Sequence, residues 1–364
     1  MAEGATGDVG TGRRLAFLLG VLATIGCDDG PTSIEPGEPW RTVSPDEVEL
    51  DAGRLEAAHM RATGNEWMRS LLVVRHGRLA FERYYGGFGP DSLADLRSVT
   101  KSVVSTLAGI AIARGEIPGV DTPVSDFVNP DDFGASRLDE AITFRHLLTM
   151  IGGWEWDESG GGDYAHWESA RDPVRFLLDR PIVNPPGTRF VYNSAGVHLL
   201  GVAVAEATGE SLPDFADEVL FGPLGIPDSA WELLSGGFVN GGSGLDLRPR
   251  DLARFGQLFL MAGRWRGRAV VPEDWIEMAT APVFTWSSPR SYGYLWWIDL
   301  ERGAYYASGY GGQYLYVLPG RDLVVVVTTD WRGAGSVPGY RDAIRALRRL
   351  AFDIIVNDVV PAAR

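Results

Sequence analysis

Lysine and cysteine are almost absent from this sequence. Lys101 is its only lysine and Cys27 its only cysteine, whereas the other 32 of the 33 basic residues are arginine. A single cysteine excludes an internal disulfide, a Cys-based metal site and, given its position near the N-terminus, a cysteine nucleophile within the later motifs. Nor do the five histidines follow a metal-ligand spacing, so we expect neither a metal nor another cofactor; they are His59, His76, His146, His166 and His198.

Positive charge is also scarce. The formal net charge is −15 and the isoelectric point is near 4.8, which disfavours a nucleic-acid partner because phosphate binding requires clustered Lys and Arg. The sequence contains no G-x-S-x-G motif typical of α/β-hydrolases, and Lys101 does not follow the glycine that a P-loop requires. We therefore expect a small-molecule or short-peptide substrate.

The N-terminal residues are typical of an export signal. Arg13 and Arg14 precede an apolar run at 15–25 that is too short to span a bilayer, and no later run approaches the ~20 apolar residues that a transmembrane helix needs. Residues 24–27 resemble a lipoprotein cleavage box, with Thr24 where Leu is usual. We predict a signal peptide at 1–26, lipidation of Cys27 and a periplasmic or other extracytoplasmic protein with a membrane tether.

For the remainder of the chain, the sequence predicts a tether at 27–43 followed by one domain at 44–364. We predict a helix from Ser44 to about Gly64, a hairpin from strands at 71–74 and 79–84, a second hairpin from strands at 313–317 and 323–329, and a closing helix at 340–356. The middle, about 98–280, has mostly helical patterns. These elements predict an α+β fold in which both termini build one antiparallel sheet flanked by helices, with a helical lobe inserted.

The lone lysine lies within the pattern Ser98-Val-Thr-Lys101. Apolar residues recur at helical spacing after Ser98, which predicts that Ser98 and Lys101 share one face at the start of a buried helix. A buried lysine with a lowered pKa can take a proton from a serine, and arginine cannot replace it in that role. S-x-x-K alone is a weak signal, and a stray surface lysine is the alternative.

Two later segments carry further polar groups. Tyr192-Asn-Ser194 precedes an apolar helical run, and a tyrosine beside a cationic lysine is expected to titrate low enough to relay protons; a packing Tyr with an Asn N-cap is the alternative. Tyr310-Gly-Gly-Gln313 enters the second hairpin, where glycines allow a substrate close to the backbone. Taken alone, this segment is also compatible with a simple turn.

In this order, the three segments resemble the family of class C β-lactamases, penicillin-binding D-Ala-D-Ala carboxypeptidases and their family VIII-type esterase and amidase relatives, including the 6-aminohexanoate-dimer hydrolases. The resemblance extends from about residue 71 to 329 and includes a stretch at 142–150. It implies a β-lactamase/transpeptidase-like fold and hydrolysis through an acyl-enzyme.

The resemblance also implies roles for individual residues. Ser98 corresponds to the nucleophile, Lys101 and Tyr192 to the coupled acid and base, and the N–H groups of Ser98 and Gln313 to the oxyanion hole. Ser194 stands where many members have Asn and Tyr310 where β-lactamases have Lys; with Gly311 and Gly312 these are the expected substrate contacts. A phenol binds a carboxylate poorly, so ester or amide hydrolysis is expected rather than efficient β-lactam hydrolysis.

Alternatives remain open at this stage. Trp154 belongs to an aromatic loop with Trp156, Tyr164 and Trp167 that is expected either to line an apolar substrate pocket or to pack the lobe. A D-amino-acid peptidase, penicillin-binding protein or β-lactamase is the nearest alternative enzyme. A non-catalytic sensor that keeps the fold and forms a stable acyl adduct is the alternative from another class.

Overall fold

The computed structural model describes residues 40–158, 162–287 and 289–364. The predicted signal peptide at 1–26, Cys27 and most of the predicted tether at 27–43 lie outside these ranges. Within them, none of the helices has the length and apolar character needed to cross a membrane.

The elements are as follows. The α-helices are α1 Ala52–Thr63, α2 Thr100–Ala113, α3 Phe144–Leu148, α4 Asp163–Glu168, α5 Pro173–Leu178, α6 Ser194–Thr208, α7 Leu212–Ala216, α8 Gly222–Leu224, α9 Pro249–Leu260, α10 Glu273–Thr280, α11 Trp331–Gly335 and α12 Tyr340–Asp353. The strands are β1 Met68–Arg75, β2 Arg78–Tyr84, β3 Ala94–Asp95, β4 Ala230–Trp231, β5 Leu245–Leu247, β6 Arg264–Trp265, β7 Arg268–Ala269, β8 Phe284–Ser287, β9 Arg290–Tyr292, β10 Trp297–Asp299, β11 Ala304–Gly309, β12 Gln313–Leu318 and β13 Leu323–Thr329.

The sheet joins the two ends of the domain, as the sequence predicts. Within the described ranges eight strands form one antiparallel sheet in the order β2-β1-β13-β12-β11-β10-β9-β8. The N-terminal β1 pairs with the C-terminal β13, with Leu72 opposite Val326. Both predicted hairpins are present, and His76 and Gly77 turn the first with φ angles of 50° and 64°, the left-handed conformation that a two-residue hairpin favours.

The predicted helix from Ser44 to Gly64 is wrong as a single element. A 3-10 turn at Pro45–Val48 ends at Glu49, whose φ of 55° is left-handed and cannot continue a helix. The buried Leu50 then forms a β-bridge with Ala363 near the C-terminus. Asp51 caps a new helix, α1, by accepting a hydrogen bond from the N–H of Arg54. A long-range contact thus breaks a locally consistent helical signal.

The sheet has a core on each face because its central strands alternate. On β12, Tyr314, Tyr316 and Leu318 point to one core, which they share with α1 and α12. Leu315 and Val317 point to the other core, which contains α2, α6 and α9. α2 and α6 are buried along most of their length and pack on each other, so a sheet and a helical layer meet around the start of α2.

We predict that Gly109→Ala destabilises the protein although alanine favours helices. A Cβ at Gly109 on α2 would lie 2.2 Å from the buried ring of Trp275 on α10. Overpacking against a rigid ring typically costs ~1–3 kcal/mol, more than the ~1 kcal/mol that alanine contributes to a helix. The measurement is the free energy of unfolding in urea.

Gly335→Ala is the matched control, because a Cβ there meets nothing within 4 Å. It should leave the free energy of unfolding unchanged or slightly higher. Equal stability of Gly109→Ala and the unmodified protein would contradict the tight α2–α10 contact.

Candidate active site

Ser98 lies at the entrance of α2, in the 3-10 turn Arg97–Val99. Arg97 has a left-handed φ of 50°, a costly conformation for a residue with a side chain. The sheet comes so close that a Cβ on Gly309, the last residue of β11, would lie 2.3 Å from the carbonyl oxygen of Leu96. The half-buried Ser98 is therefore held where the sheet meets the N-terminus of the helix.

Lys101 is buried directly behind Ser98, one turn into the helical segment. Its side chain is 1% exposed, and its Nζ donates to Ser98 Oγ at 3.0 Å, to Ser194 Oγ at 2.8 Å and to the carbonyl oxygen of Gly242 at 2.5 Å. An ammonium group has three N–H donors, so all of them have acceptors here. The predicted meeting of Ser98 and Lys101 is therefore present in the structure.

Burial sets the proton affinity of this amine. Removal from water lowers the pKa of Lys101 to about 8, and the nearby Arg97 cation also lowers it, while the carboxylate of Glu158 acts in the opposite direction. A pKa of about 8 leaves a useful neutral fraction near neutral pH. The amine can therefore accept the proton of the Ser98 hydroxyl.

Tyr192 lies on the loop before α6 and completes the group around Ser98. The Ser98 hydroxyl is a polar neighbour of its phenol, and the Nζ of Lys101 lies 5.0 Å from the centre of its ring. The expectation that Tyr192 titrates low is wrong: burial first, and then the charge of Glu158, raise its pKa well above the ordinary value. The resting phenol keeps its proton and is suited to act as a donor.

Ser194 links Lys101 to a carboxylate that the sequence did not single out. Its Oγ donates to Glu158 Oε1 at 2.6 Å while accepting from Lys101, and its N–H donates to Glu158 Oε2 at 2.7 Å. Trp156 Nε1 also donates to Glu158 Oε2, at 3.1 Å. Ser194 is thus a member of the lysine network, and Asn193 beside it caps α6, as the alternative interpretation held.

Asn240 is a second residue that sequence reasoning missed. It is fully buried, and its Oδ1 accepts from the N–H groups of Gly242 and Ser243 at 3.1 Å each. These bonds shape the tight loop that presents the Gly242 carbonyl oxygen to Lys101. The loop lies far from the three motifs along the chain, so no local pattern indicates its role.

A second polar group lies on the other side of Arg97. Its guanidinium donates to the Tyr164 hydroxyl at 2.7 Å, and Tyr164 donates to Glu168 Oε1 at 2.5 Å. Ser243 lies 2.6 Å from the same hydroxyl. This arrangement holds the Arg97 cation near Lys101 and makes this flank of the site polar.

The Gly-rich segment forms the turn between β11 and β12. Gly311 and Gly312 have φ angles of 83° and 114°, and a Cβ on Gly311 would lie 2.3 Å from the Cβ of Trp331. Tyr310 is 45% exposed and contacts the Trp331 ring edge to face. The Gln313 side chain is buried and bonded to Thr329 on β13, with Nε2 2.7 Å from Thr329 Oγ1. The role of its backbone N–H in an oxyanion hole stays a prediction.

Trp154 packs the lobe and borders a cavity of about 10 Å³, which is too small for a substrate. It is 4% exposed, forms a β-bridge with Ile182, and its ring is in contact with Gly152, where a Cβ would lie 2.4 Å from it. Trp156 and Trp167 are buried in the same core. Of the two interpretations of the aromatic loop, the structure favours packing, since these rings have almost no surface left for a substrate.

The histidines have structural contacts. His146 accepts from the N–H of Thr143 at the start of α3, and burial lowers the pKa of His198 to about 4 beside the carbonyl oxygen of Val239. Among the described residues, no three His, Cys, Asp or Glu side chains are placed to hold a metal ion.

Comparison with known proteins gives consistent matches. The family model described as Beta-lactamase matches residues 58–349. The 6-aminohexanoate-dimer hydrolase of Paenarthrobacter ureafaciens is 29% identical over 295 residues, covering 72% of each chain. Esterase EstB of Burkholderia gladioli is 28% identical over 217 residues, covering 51% of this chain and 54% of its own. The solved penicillin-binding protein homologue of Pyrococcus abyssi superimposes with a TM-score of 0.65 at 21% identity, covering 83% and 77% of the two chains. The predicted β-lactamase/transpeptidase-like fold is confirmed.

We predict that Glu158→Gln changes the pH dependence of the reaction. In the unmodified protein kcat/KM should rise with pH around a midpoint near the Lys101 pKa of about 8, because only the neutral amine accepts a proton. The Glu158 carboxylate favours the ammonium form, so its loss lowers that pKa and should move the midpoint to lower pH, by about one unit. The measurement is kcat/KM for a neutral ester across the pH range.

Glu155→Gln is the control. Glu155 is an exposed acid in the same loop, and its backbone N–H is hydrogen-bonded to the carbonyl oxygen of Pro181. Its midpoint should match that of the unmodified protein. A midpoint that stays in place, or moves to higher pH, in Glu158→Gln would refute the electrostatic role of Glu158.

Proposed function

This chain belongs to the Beta-lactamase family of serine hydrolases, and on that premise we propose that it cleaves an ester or amide bond through an acyl-enzyme on Ser98. The named relatives include an esterase and a 6-aminohexanoate-dimer hydrolase, which supports hydrolysis as the reaction. The single observation that carries the proposal is the hydrogen bond of 3.0 Å from the buried Lys101 Nζ to Ser98 Oγ.

In the proposed chemistry, Lys101 and Tyr192 transfer the equivalent of the Ser98 proton to the leaving group. Ser98 Oγ attacks the carbonyl carbon while its proton passes to the neutral Lys101 amine. When the tetrahedral intermediate collapses, the Tyr192 hydroxyl donates its proton to the departing oxygen or nitrogen, and the Lys101 ammonium returns a proton to the phenolate. Water then attacks the acyl-enzyme. Lys101 accepts a proton from the water and Tyr192 donates one to Ser98 Oγ, which releases the acid and restores the Ser98 hydroxyl.

The start of α2 and the turn after β11 are placed to stabilise the negative charge that develops on the substrate carbonyl oxygen. The N–H of Ser98 belongs to the N-terminal turn of a helix, where the backbone dipole favours negative charge. We assign the second hydrogen-bond donor of the oxyanion hole to the backbone N–H of Gln313, after the turn that follows β11. No residue outside the chain is required for these steps.

Tyr310 favours esters and amides over β-lactams. By the resemblance, Tyr310 stands where β-lactamases have a lysine. Its half-exposed phenol lacks the charge that pairs with the carboxylate of a β-lactam. A neutral carbonyl substrate has no such requirement.

One observation favours a second candidate, hydrolysis of a substrate that carries a carboxylate, such as a peptide ending in D-alanine. Arg348 on α12 is a neighbour of Tyr314, and its charge acts on Tyr192. A guanidinium at this position supplies the cation that Tyr310 lacks.

Ser98→Ala and Lys101→Arg test the proposal. A fluorophosphonate probe should add one label to the unmodified protein and none to Ser98→Ala, as measured by intact mass. Turnover of p-nitrophenyl butyrate should disappear in Ser98→Ala and fall about a hundredfold or more in Lys101→Arg, because arginine keeps the charge but accepts no proton.

Ser102→Ala serves as the control, since its hydroxyl lies on the same helix but donates to the carbonyl oxygen of Leu295. It should keep the label and the turnover. A label without turnover would support the non-catalytic sensor, and absence of both would exclude Ser98 as a nucleophile. Rapid nitrocefin turnover, reduced in Arg348→Gln, would favour the second candidate.

We also propose that the protein is exported and anchored through a lipid on Cys27. The dibasic start, the short apolar run and the following cysteine support this location. Expressed in a bacterium with a fatty-acid analogue, the full chain should take up the label and sediment with membranes, and Cys27→Ala should do neither. Labelling that persists in Cys27→Ala would contradict the anchor.

A further inference from the structure

A continuous surface of aromatic side chains begins at Tyr192 and extends away from Ser98. We call it the aromatic wall; its members are Tyr192, Trp297, Trp286, Phe190 and Phe284. Trp297 stacks on Tyr192 with ring centres 6.1 Å apart and on Trp286 at 5.8 Å, with the planes within 25° in both pairs. Phe190 meets Trp286 edge to face at 4.4 Å. The wall thus connects the catalytic centre to the protein surface.

The aromatic wall is supported from behind by the sheet. Tyr292 on β9 is 1% exposed, and its ring packs against Phe190 at 5.2 Å and against Trp297 at 5.0 Å. The five wall residues, in contrast, all keep some exposure, and Trp286 is 45% exposed. A contiguous aromatic surface that is backed by buried rings and in contact with water is typical of a binding site for an apolar group.

The two flanks of Ser98 differ in chemistry. On one side lie the charged and hydroxyl groups of Arg97, Glu168, Tyr164 and Ser243. Beside Tyr192, on which the charge of Arg348 also acts, ring contacts continue through Trp297 to Trp286. An apolar portion of a substrate therefore has a more favourable surface along these rings than beside Arg97 and Glu168.

The role of Tyr192 determines whether the apolar portion belongs to the acyl group or to the leaving group of the substrate. The residue that protonates the departing atom must touch it, so the group attached to that atom extends over the side of the site where Tyr192 lies. We propose that the aromatic wall binds the leaving group, and that the preferred substrates are esters or amides of an aromatic alcohol or amine. This inference rests on the proposed function and specifies its substrate class.

Two isomeric esters test the proposal. Phenethyl acetate carries a phenyl ring on the leaving alcohol, whereas methyl hydrocinnamate has the same atoms with the ring on the acyl group; methyl acetate lacks the ring. The unmodified protein should hydrolyse phenethyl acetate with a higher kcat/KM than its isomer. Trp286→Ala should lower kcat/KM for phenethyl acetate about tenfold and leave methyl acetate unchanged.

The controls separate stacking from folding. Trp286→Phe retains a flat ring and should restore most of the preference. Leu300→Ala removes an apolar side chain that is 43% exposed after β10 and should change none of the three rates. Equal kcat/KM for the isomers, or a loss in Trp286→Ala that includes methyl acetate, would overturn the proposal.

The remaining outcomes are also distinct. A preference for methyl hydrocinnamate that disappears in Trp286→Ala would assign the aromatic wall to the acyl group and refute the leaving-group assignment. If no ester, methyl acetate included, is hydrolysed and the fluorophosphonate label is absent, the proposed function itself fails.

Discussion

The buried amine of Lys101 is the constraint on which the rest of the site depends. A lysine side chain that is 1% exposed is stable only where each N–H finds an acceptor, and the acceptors come from three separate parts of the chain: Ser98, Ser194 and Gly242. The start of α2, the start of α6 and the loop that Asn240 shapes must therefore converge. The fold thus supplies acceptors for a buried amine, and the same burial lowers the pKa of that amine to about 8.

Two opposite charges adjust that base. Arg97 lowers the pKa of Lys101 and Glu158 raises it, and both are held by further hydrogen bonds, Arg97 by Tyr164 and Glu158 by Ser194 and Trp156. Neither charge touches the amine, so each changes the proton affinity without competing for the acceptors. Within the left-handed turn of Arg97, the arginine side chain contacts Tyr164 while the adjacent Ser98 hydroxyl contacts Lys101.

The sequence predicted those features that are encoded locally. The two hairpins, the helix α12 and the meeting of Ser98 with Lys101 follow from alternation, turn residues and helical spacing. The features that it did not predict depend on distant partners. Glu158 was one acid among 48 Asp and Glu residues, and only its bonds to Ser194 distinguish it. The helix break at Glu49 depends on a bridge to Ala363, and the raised pKa of Tyr192 depends on burial that no local pattern reveals.

The catalytic residues and three of the five residues of the aromatic wall lie on different elements. Ser98, Lys101 and Tyr192 are attached to helices and to the loop before α6, whereas Trp286 and Trp297 are carried by the strands β8 and β10 at one end of the sheet. β10 is one strand away from β11, which packs against the turn of Ser98. Changes in β8 are two strands farther away and leave that contact intact. β8 lies at the edge of the sheet, and under the proposal above its Trp286 contacts the leaving group and not the buried amine. Under that proposal, substitutions at the sheet edge change the preferred leaving group while the hydrogen bond between Lys101 and Ser98 remains.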